Sequence, residues 1–326
     1  MKTYPEISVV IPVKNEGAKI RACIDGILSQ SIPVKEIIVI DSGSTDGTVE
    51  VLQECEKVKL LEIPSSTFNH GETRNLGVRH ASGEFVVLTV GDARAYDQYW
   101  IQHLLEGFDA PNVAGVCGQQ VCPHERDKNP VEWFRPWSSP SKKKYEFPAG
   151  AFEHLSSHEK MMACGWDDVT AMYRRDILLQ VPFRSTPYSE DAIWAKDALS
   201  AGYAIVYNYA ARVYHYHTED KDFTFRRTMT TMYMRYRHFG FIYPKENGKK
   251  NFRKELSKLK LILIAQPMSI GEKIKWIRYN KVQEVAYKEA VATFHDALAR
   301  SEEELDKLHQ ELCGKPPIPL KQAAPL

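Results

Sequence analysis

Glu36-Ile-Ile-Val-Ile-Asp-Ser-Gly-Ser-Thr-Asp-Gly-Thr48 decides the fold. The apolar run Ile37 to Ile40 reads as a buried strand, and it stops abruptly at Asp41 and a loop of small polar residues. A carboxylate at the mouth of such a strand, followed by glycines, suits an open α/β sheet that receives a nucleotide at its strand ends. Asp41 is then placed to accept the imide N–H of a uracil or thymine ring. The alternative is a cap on the next turn or helix, a role that fits Asp46, inside Ser-Thr-Asp-Gly, better.

Outward from this stretch, short apolar runs alternate with helical periods. Ile7 to Pro12 reads as the first strand, and Ala18 to Gln30 as a helix with Ile20, Cys23, Ile24, Ile27 and Leu28 on one face. Thr48 to Cys55 is the helix after the second strand. Gly83 to Thr89 is a further buried strand ending at Gly91-Asp92-Ala93, and Tyr203 to Tyr207 and Ala211 to Tyr214 are later short strands. The pattern predicts a parallel or mostly parallel sheet with helices on its faces. Residues 123 to 160 hold several prolines and no clean period, and read as a long mobile segment over the site.

With 326 residues and 43% hydrophobic content, the chain can bury a full core in one large domain or two. The apolar run from Ile7 follows Met1 so closely that no signal peptide is expected. The longest later apolar run, Leu259 to Ala265, is broken by Lys260 and falls far short of the roughly 20 residues of a membrane span. A cytoplasmic protein is therefore expected. Six cysteines include no Cys-x-x-Cys pair, which excludes a zinc knuckle or redox motif and leaves reduced thiols. Charge is unevenly spread: residues 221 to 326 hold 21 Lys/Arg against 12 Asp/Glu, and the rest 22 against 30. That split predicts a boundary near 220 between an acidic domain, 1–220, and a helical, basic region, 221–326.

Candidate chemistry gathers at strand and helix ends. Asp92 offers carboxylate oxygen for a divalent cation bridging phosphates. In Tyr214-His-Tyr-His217, strand alternation would put His215 and His217 on one face, able either to add imidazole to that site or simply to pack. Glu190-Asp191 precedes the helical run Ala192 to Gly202; such acids cap helix starts, and beside a phosphate site one can take a proton from an attacking hydroxyl. Arg74 sits near a helix start with donors suited to phosphate, or to a salt bridge with Glu72 or Glu84.

In chain order these pieces resemble the family-2 glycosyltransferases, whose nucleotide-sugar-binding sheet is called GT-A. The matching motifs are Ser8-Val-Val-Ile-Pro-Val-Lys-Asn-Glu16, Ile38 to Thr48, Thr73-Arg-Asn-Leu-Gly77, Gly91-Asp-Ala93, Ser189-Glu-Asp191 and Val213-Tyr-His-Tyr-His217. The resemblance covers about residues 6 to 218. It implies that Asp41 binds the nucleobase, that Pro12 and Glu16 frame its pocket and that Arg74 holds the nucleotide. It further implies that Asp92 helps hold Mg²⁺ or Mn²⁺ on the diphosphate and that Asp191 is the base of an inverting displacement. Gly91 stands where the family's metal motif has its first Asp, so metal dependence is the element in question, with Arg94 near enough to offset phosphate charge. Phe68-Asn-His-Gly71 is similar to the bacterial rhamnosyltransferase branch, which implies dTDP-rhamnose as donor, with UDP-sugars next. Residues 161 to 176 fall where the family shapes its acceptor side. There Trp166 would stack on a sugar face and Asp167 or Asp168 would bind hydroxyls, unless Trp166 is a core residue.

Lys245 to Lys281 carries 11 basic residues against three acidic ones, interleaved with aromatics. No nucleic-acid module is matched, which leaves an anionic membrane surface, helical packing or self-association through Val282 to Leu312. The acceptor implied is a saccharide or a lipid-linked saccharide. The competing reading is a nucleotide-binding relative that does no transfer. An NAD-type enzyme lacks its Gly-x-Gly-x-x-Gly, and a nucleotidyltransferase its Gly-rich phosphate loop.

Overall fold

Runs of β-branched residues build the centre of the fold, seen here in a computed structural model that describes residues 4–134, 140–148, 150–245 and 252–315. The chain divides into two units: residues up to Val121 with Pro136–His215, and Cys122–Arg135 with the chain from Tyr216 onward. The expected division at 220 left residues 122 to 135 in the first domain, whereas they pack with the helical unit. Cys122, Val131 and Trp133 are buried there with Ile262, Ala265, Met268 and Trp276.

In the first unit, Ile7–Val13 (β1) and Glu36–Asp41 (β2) are almost wholly buried, as strands covered by helices on both faces must be. Ile20–Leu28 (α1) lays Ile20, Cys23, Ile24 and Ile27 into that core. Thr48–Gln53 (α2), Val58–Glu62 (β3), His70–His80 (α3) and Phe85–Leu88 (β4) follow. Next come Arg94–Ala95 (β5), Trp100–Leu105 (α4), Val113–Val121 (β6), Lys142–Tyr145 (β7) and Ser157–Ala163 (α5). Ala171–Arg174 (β8), Arg175–Gln180 (α6), Glu190–Ser200 (α7) and Ala204–Tyr214 (β9) complete the unit.

The sheet order is β3-β2-β1-β4-β8-β6-β9-β5, with β7 also on β9. Strands β1 to β4 are parallel, β8 runs antiparallel between β4 and β6, and β6 and β9 are parallel. Strand order reverses between β1 and β4, so a crevice opens at their carboxyl ends, where such sheets bind ligands. Pro12 has no N–H to donate and lies beyond the last β1–β4 pair, Val10–Leu88, so no ladder bond to β4 is lost.

Two expectations change. The two late strands are one, β9, whose register against β6 shifts between Cys117 and Gln119; a bulge interrupts the pairing, not the strand. The described residues between 123 and 160 are not one irregular segment. Residues 142–145 pair with β9, and α5 begins with a capping box between Ser156 and Glu159. Residues 135–139 and 149 of that segment lie outside the described residues, as do 246–251 of the basic run and Pro316-Pro-Ile-Pro319.

The second unit is helical: Lys221–Phe239 (α8), Phe252–Ile264 (α9), Ile270–Arg300 (α10) and Glu302–Cys313 (α11). Between Val282 and Leu312 the chain is not one helix: it breaks at Ser301. Its backbone is extended (φ −169°) and its hydroxyl accepts the Glu304 N–H at 3.1 Å, ending α10 and capping α11.

Candidate active site

Two loops at the crevice brace each other. Asp41, 3% exposed, accepts the N–H groups of Gly43 (2.9 Å) and Ser44 (3.0 Å) through Oδ2 and the Ser44 hydroxyl through Oδ1. It therefore shapes its own turn as well as ending β2. Asp46 caps α2 through Thr48 and accepts the Gly17 N–H at 3.0 Å, tying the loop after β1 to the loop after β2. Asn15, held at φ +57°, adds two bonds: its N–H donates to Ser44 Oγ (2.8 Å) and its Oδ1 accepts from Thr45 (2.9 Å). A left-handed non-glycine residue held from both sides marks a loop with one allowed shape.

Across the crevice, Asp92 follows β4. Its Oδ1 lies 3.3 Å from His215 Nε2 and its Oδ2 lies 3.2 Å from Lys19 Nζ, which is itself 3.6 Å from Glu16. Burial and then the Asp92 charge raise the Glu16 carboxyl above its ordinary range. Gly91 has no room for a second carboxylate: a Cβ there would lie 2.9 Å from Val13 Cγ1 and 3.2 Å from Glu16 Cγ. The Arg94 guanidinium, expected to serve phosphate, stacks over the Tyr214 ring at 4.9 Å. Lys19 is the cation found beside Asp92.

The orientation of His215 is set by a residue that the sequence reading missed. Gln120, at the end of β6, donates through Nε2 to Asp167 Oδ2 (2.5 Å) and accepts at Oε1 from His215 Nδ1 (2.7 Å). A carboxylate only accepts, so it fixes the amide orientation; the amide oxygen in turn fixes the proton on Nδ1. The Nε2 edge thereby faces Asp92 Oδ1, 3.3 Å away. An oxygen and an imidazole nitrogen presented together form a donor set suited to a divalent ion such as Mn²⁺. His217 lies two residues further along the chain, in the second unit. Adjacent glutamines at the end of an otherwise buried apolar strand, Gln119-Gln120, were the available signal.

The acidic centre bears on four of the candidate residues. Arg74, 6% exposed, does not face a nucleotide: its NH1 pairs with Glu190, and its Nε lies 3.1 Å from Asp168 Oδ2, misaligned for a hydrogen bond. Asp168, 1% exposed, accepts the Tyr173 hydroxyl and is internal, so it binds no acceptor hydroxyl. Trp166 is a core residue. Its Nε1 donates to the Tyr173 hydroxyl (2.6 Å), and its ring packs on Trp194 and Tyr207, at centroid distances of 5.1 and 5.5 Å. Glu190, 6% exposed, is the ion-pair partner of Arg74. Asp167 remains half-buried, its carboxylate shared between Gln120 and the Val169 N–H.

Asp191 lies in the first turn of α7, after Ser189 at φ +62°. Its Oδ1 accepts the Ala192 N–H at 2.7 Å. Burial, followed by the charges of Glu190, Asp168 and Asp167, raises its carboxyl well above the usual range, with Arg74 acting the other way. Burial likewise pushes Asp168 up to about 7, against the pull of Arg74. Three carboxyl groups gather around one guanidinium, and Asp191 is the one without a direct ion pair to it. A carboxyl raised above its ordinary range by burial and neighbouring charge is equipped to accept a proton.

The comparisons agree with this geometry. Residues 8–178 match the family model for glycosyl transferase family 2. An O-antigen chain rhamnosyltransferase of Salmonella typhimurium is 31% identical over 229 residues, 69% of this chain and 71% of that protein. Another from Salmonella anatum is 29% identical over 236 residues, 70% and 71% of the two chains. Among solved structures, a mannosyltransferase of Pyrobaculum calidifontis in complex with GDP-Man and Mn²⁺ superposes with a TM-score of 0.53 at 18% identity, covering 94% of this chain and 79% of that one. Its likeness extends the GT-A assignment to the fold. A strand-order reversal at β1/β4, with Asp41 ending β2 and Asp92 following β4, in a chain with this relative and this family match, is that of a glycosyltransferase: the chain belongs to glycosyl transferase family 2.

Proposed function

We propose that the enzyme moves a sugar, with inversion, from a nucleoside diphosphate donor to a saccharide or lipid-linked acceptor in cell-surface polysaccharide synthesis. Rhamnose from dTDP-rhamnose is the favoured donor, with a UDP-sugar as the second choice. The two Salmonella relatives named above support the sugar and the pathway class. The observation that carries the chemistry is the linked series Asp92, His215, Gln120 and Asp167, ending beside Asp191. It joins a cation-binding edge to a carboxyl tuned for proton transfer.

In this reading Asp191 accepts the proton of the acceptor hydroxyl as that oxygen forms its bond to the anomeric carbon. The bond from that carbon to the diphosphate breaks on the opposite face, and the leaving oxygen keeps the electron pair. Asp41 and the loop after β2 receive the base, and Pro12 and Glu16 line the same edge. Asp92 and His215 would hold Mn²⁺ or Mg²⁺. A divalent ion there supplies charge neutralisation on the diphosphate. Lys19 adds a fixed positive charge at the same edge. Turnover of a panel of dTDP-, UDP- and GDP-sugars, with and without Mn²⁺, tests the reading; hydrolysis or transfer of none of them with a cell-envelope acceptor extract overturns it.

Two predictions arise here. Gln120→Leu removes the acceptor that fixes His215, and Mn²⁺ affinity by calorimetry is expected to fall about 10–100-fold. An unchanged affinity would show that His215 is no ligand or needs no support. Gly91→Asp is expected to weaken donor binding, because the new side chain must displace Val13 or Glu16. Donor affinity equal to wild type would show that the loop after β1 yields freely.

A further inference from the structure

Helices α9 and α10 carry two apolar stripes that the helical unit leaves uncovered. On α9, Leu256, Leu259 and Leu263 share one face at spacings of three and four, with exposures of 48%, 37% and 53%. On α10, Ile270, Ile274 and Ile277 repeat the spacing at 80%, 44% and 36%. Ile264, 54% exposed, ends α9 beside the connection. The opposite faces are spent on the unit's own core, through Ile262 on α9 and Trp276 on α10. Five of these seven side chains are leucine or isoleucine more than two-fifths exposed, beyond what scattered surface apolar residues explain.

The charge around the stripes is one-sided. Residues 252 to 281 hold eight Lys/Arg and two acids, and both acids are already engaged, Glu255 with Lys258 and Glu272 with Arg126. Lys260, Lys275, Arg278 and Lys281 are exposed on the same two helices. A second copy of the chain would bring an identical positive face against this one, and like charges meeting across an interface oppose pairing. A surface of anionic lipid supplies both missing partners: negative headgroups for the lysines and arginines, and acyl chains for the isoleucines and leucines. No helix among the described residues is long and apolar enough to cross a membrane, so contact would be in the interfacial plane.

We propose that the α9–α10 pair is an interfacial membrane-binding element, inserting Leu256, Leu263, Ile264, Ile270, Ile274 and Ile277 at the surface of an anionic bilayer. Binding then depends on both halves of the surface. A purely electrostatic tail would be indifferent to the isoleucines.

Co-sedimentation of the full chain with phosphatidylglycerol-containing or pure phosphatidylcholine vesicles, at physiological ionic strength, tests this. The wild type is expected to pellet with the anionic vesicles and stay in solution with the neutral ones. Ile270→Glu with Ile274→Glu, at exposed positions outside the core, is expected to lower partitioning about tenfold or more. Lys260→Glu with Lys281→Glu is expected to lower it and to remove its salt dependence in part. The proposal is overturned if the wild type ignores anionic vesicles, or if the isoleucine variant binds as well as wild type. It is equally overturned if sedimentation velocity shows a dimer that the same variant dissociates, since the stripe then covers itself. None of these outcomes depends on the donor or on transfer activity.

Discussion

Asp191→Asn is expected to slow glycosyl transfer by about 10²–10⁴-fold, the usual contribution of a positioned proton acceptor, while leaving donor-nucleotide affinity nearly unchanged. The substitution keeps the shape of the side chain and can still meet the Ala192 N–H through its amide oxygen, so the first turn of α7 has no reason to unwind. What disappears is a group able to take the acceptor's proton. Because only the transition state needs that group, kcat should fall with little change in donor KM. Full transfer rate in the variant would remove Asp191 from the mechanism.

The same carboxyl sets a pH dependence. Burial and three neighbouring carboxylates raise Asp191, so the acid limb of kcat should lie well above the ordinary Asp value of about 3.9. A base must be deprotonated to act, so activity is lost as pH falls through that limb. Asp168→Asn removes one of the repelling charges and is expected to move the limb to lower pH. A limb that stays put would mean that Asp168 and Asp191 do not share their field. The Asp191→Asn profile should lose the limb altogether.

The sheet was legible because its strands are unbroken β-branched runs ending at polar loops. Ile7 to Val13, Glu36 to Asp41 and Phe85 to Leu88 announce their burial without any tertiary information. Asp92, Asp191 and His215 were legible as positions for the same reason: each sits where an element begins or ends. Strands β3, β5, β6, β7 and β8 were missed. Val113–Val121 contains Gly115 and Gly118, which weaken a strand signal, and their meaning is steric: a Cβ at Gly115 would lie 2.8 Å from Trp194, and one at Gly118 would lie 2.3 Å from the Ala211 carbonyl oxygen. The acidic centre was misassigned because charge alone does not tell a solvated carboxylate from a buried one. Arg74, Asp168 and Glu190 come from α3, the loop before β8 and α7, as many as 116 residues apart. Sequence spacing carries no trace of their meeting. Trp166 was left between sugar platform and core for the same reason, and its three aromatic neighbours decide for the core.

Arg74→Ala is expected to be the most destabilising single change in the α/β unit, costing about 3–5 kcal/mol, because it strands buried carboxyl groups without their counter-ion. Removing the guanidinium deletes a positive charge that lowers both Asp168 and Asp191, and it breaks the pair with Glu190. The loss should itself depend on pH, and its sign follows from the direction of the shifts. A carboxyl whose folded pKa lies above its unfolded value binds its proton more tightly in the native state, so its contribution to stability is greatest at low pH and declines as pH rises. For Asp168 that decline spans roughly pH 4, its unfolded range, to about 7, where the folded group ionises. Without Arg74 the folded pKa values climb further, and the decline continues to higher pH. Chemical denaturation of Arg74→Ala should therefore show a larger deficit against wild type at about pH 8 than at about pH 5, where protonation relieves the repulsion. Adding Asp168→Asn to Arg74→Ala should recover part of the deficit at the higher pH, because the two residues are in contact and their effects are not additive. An equal deficit at both pH values, or no recovery in the double variant, would show that Arg74 stabilises the unit through its packing and not through the carboxylates around it.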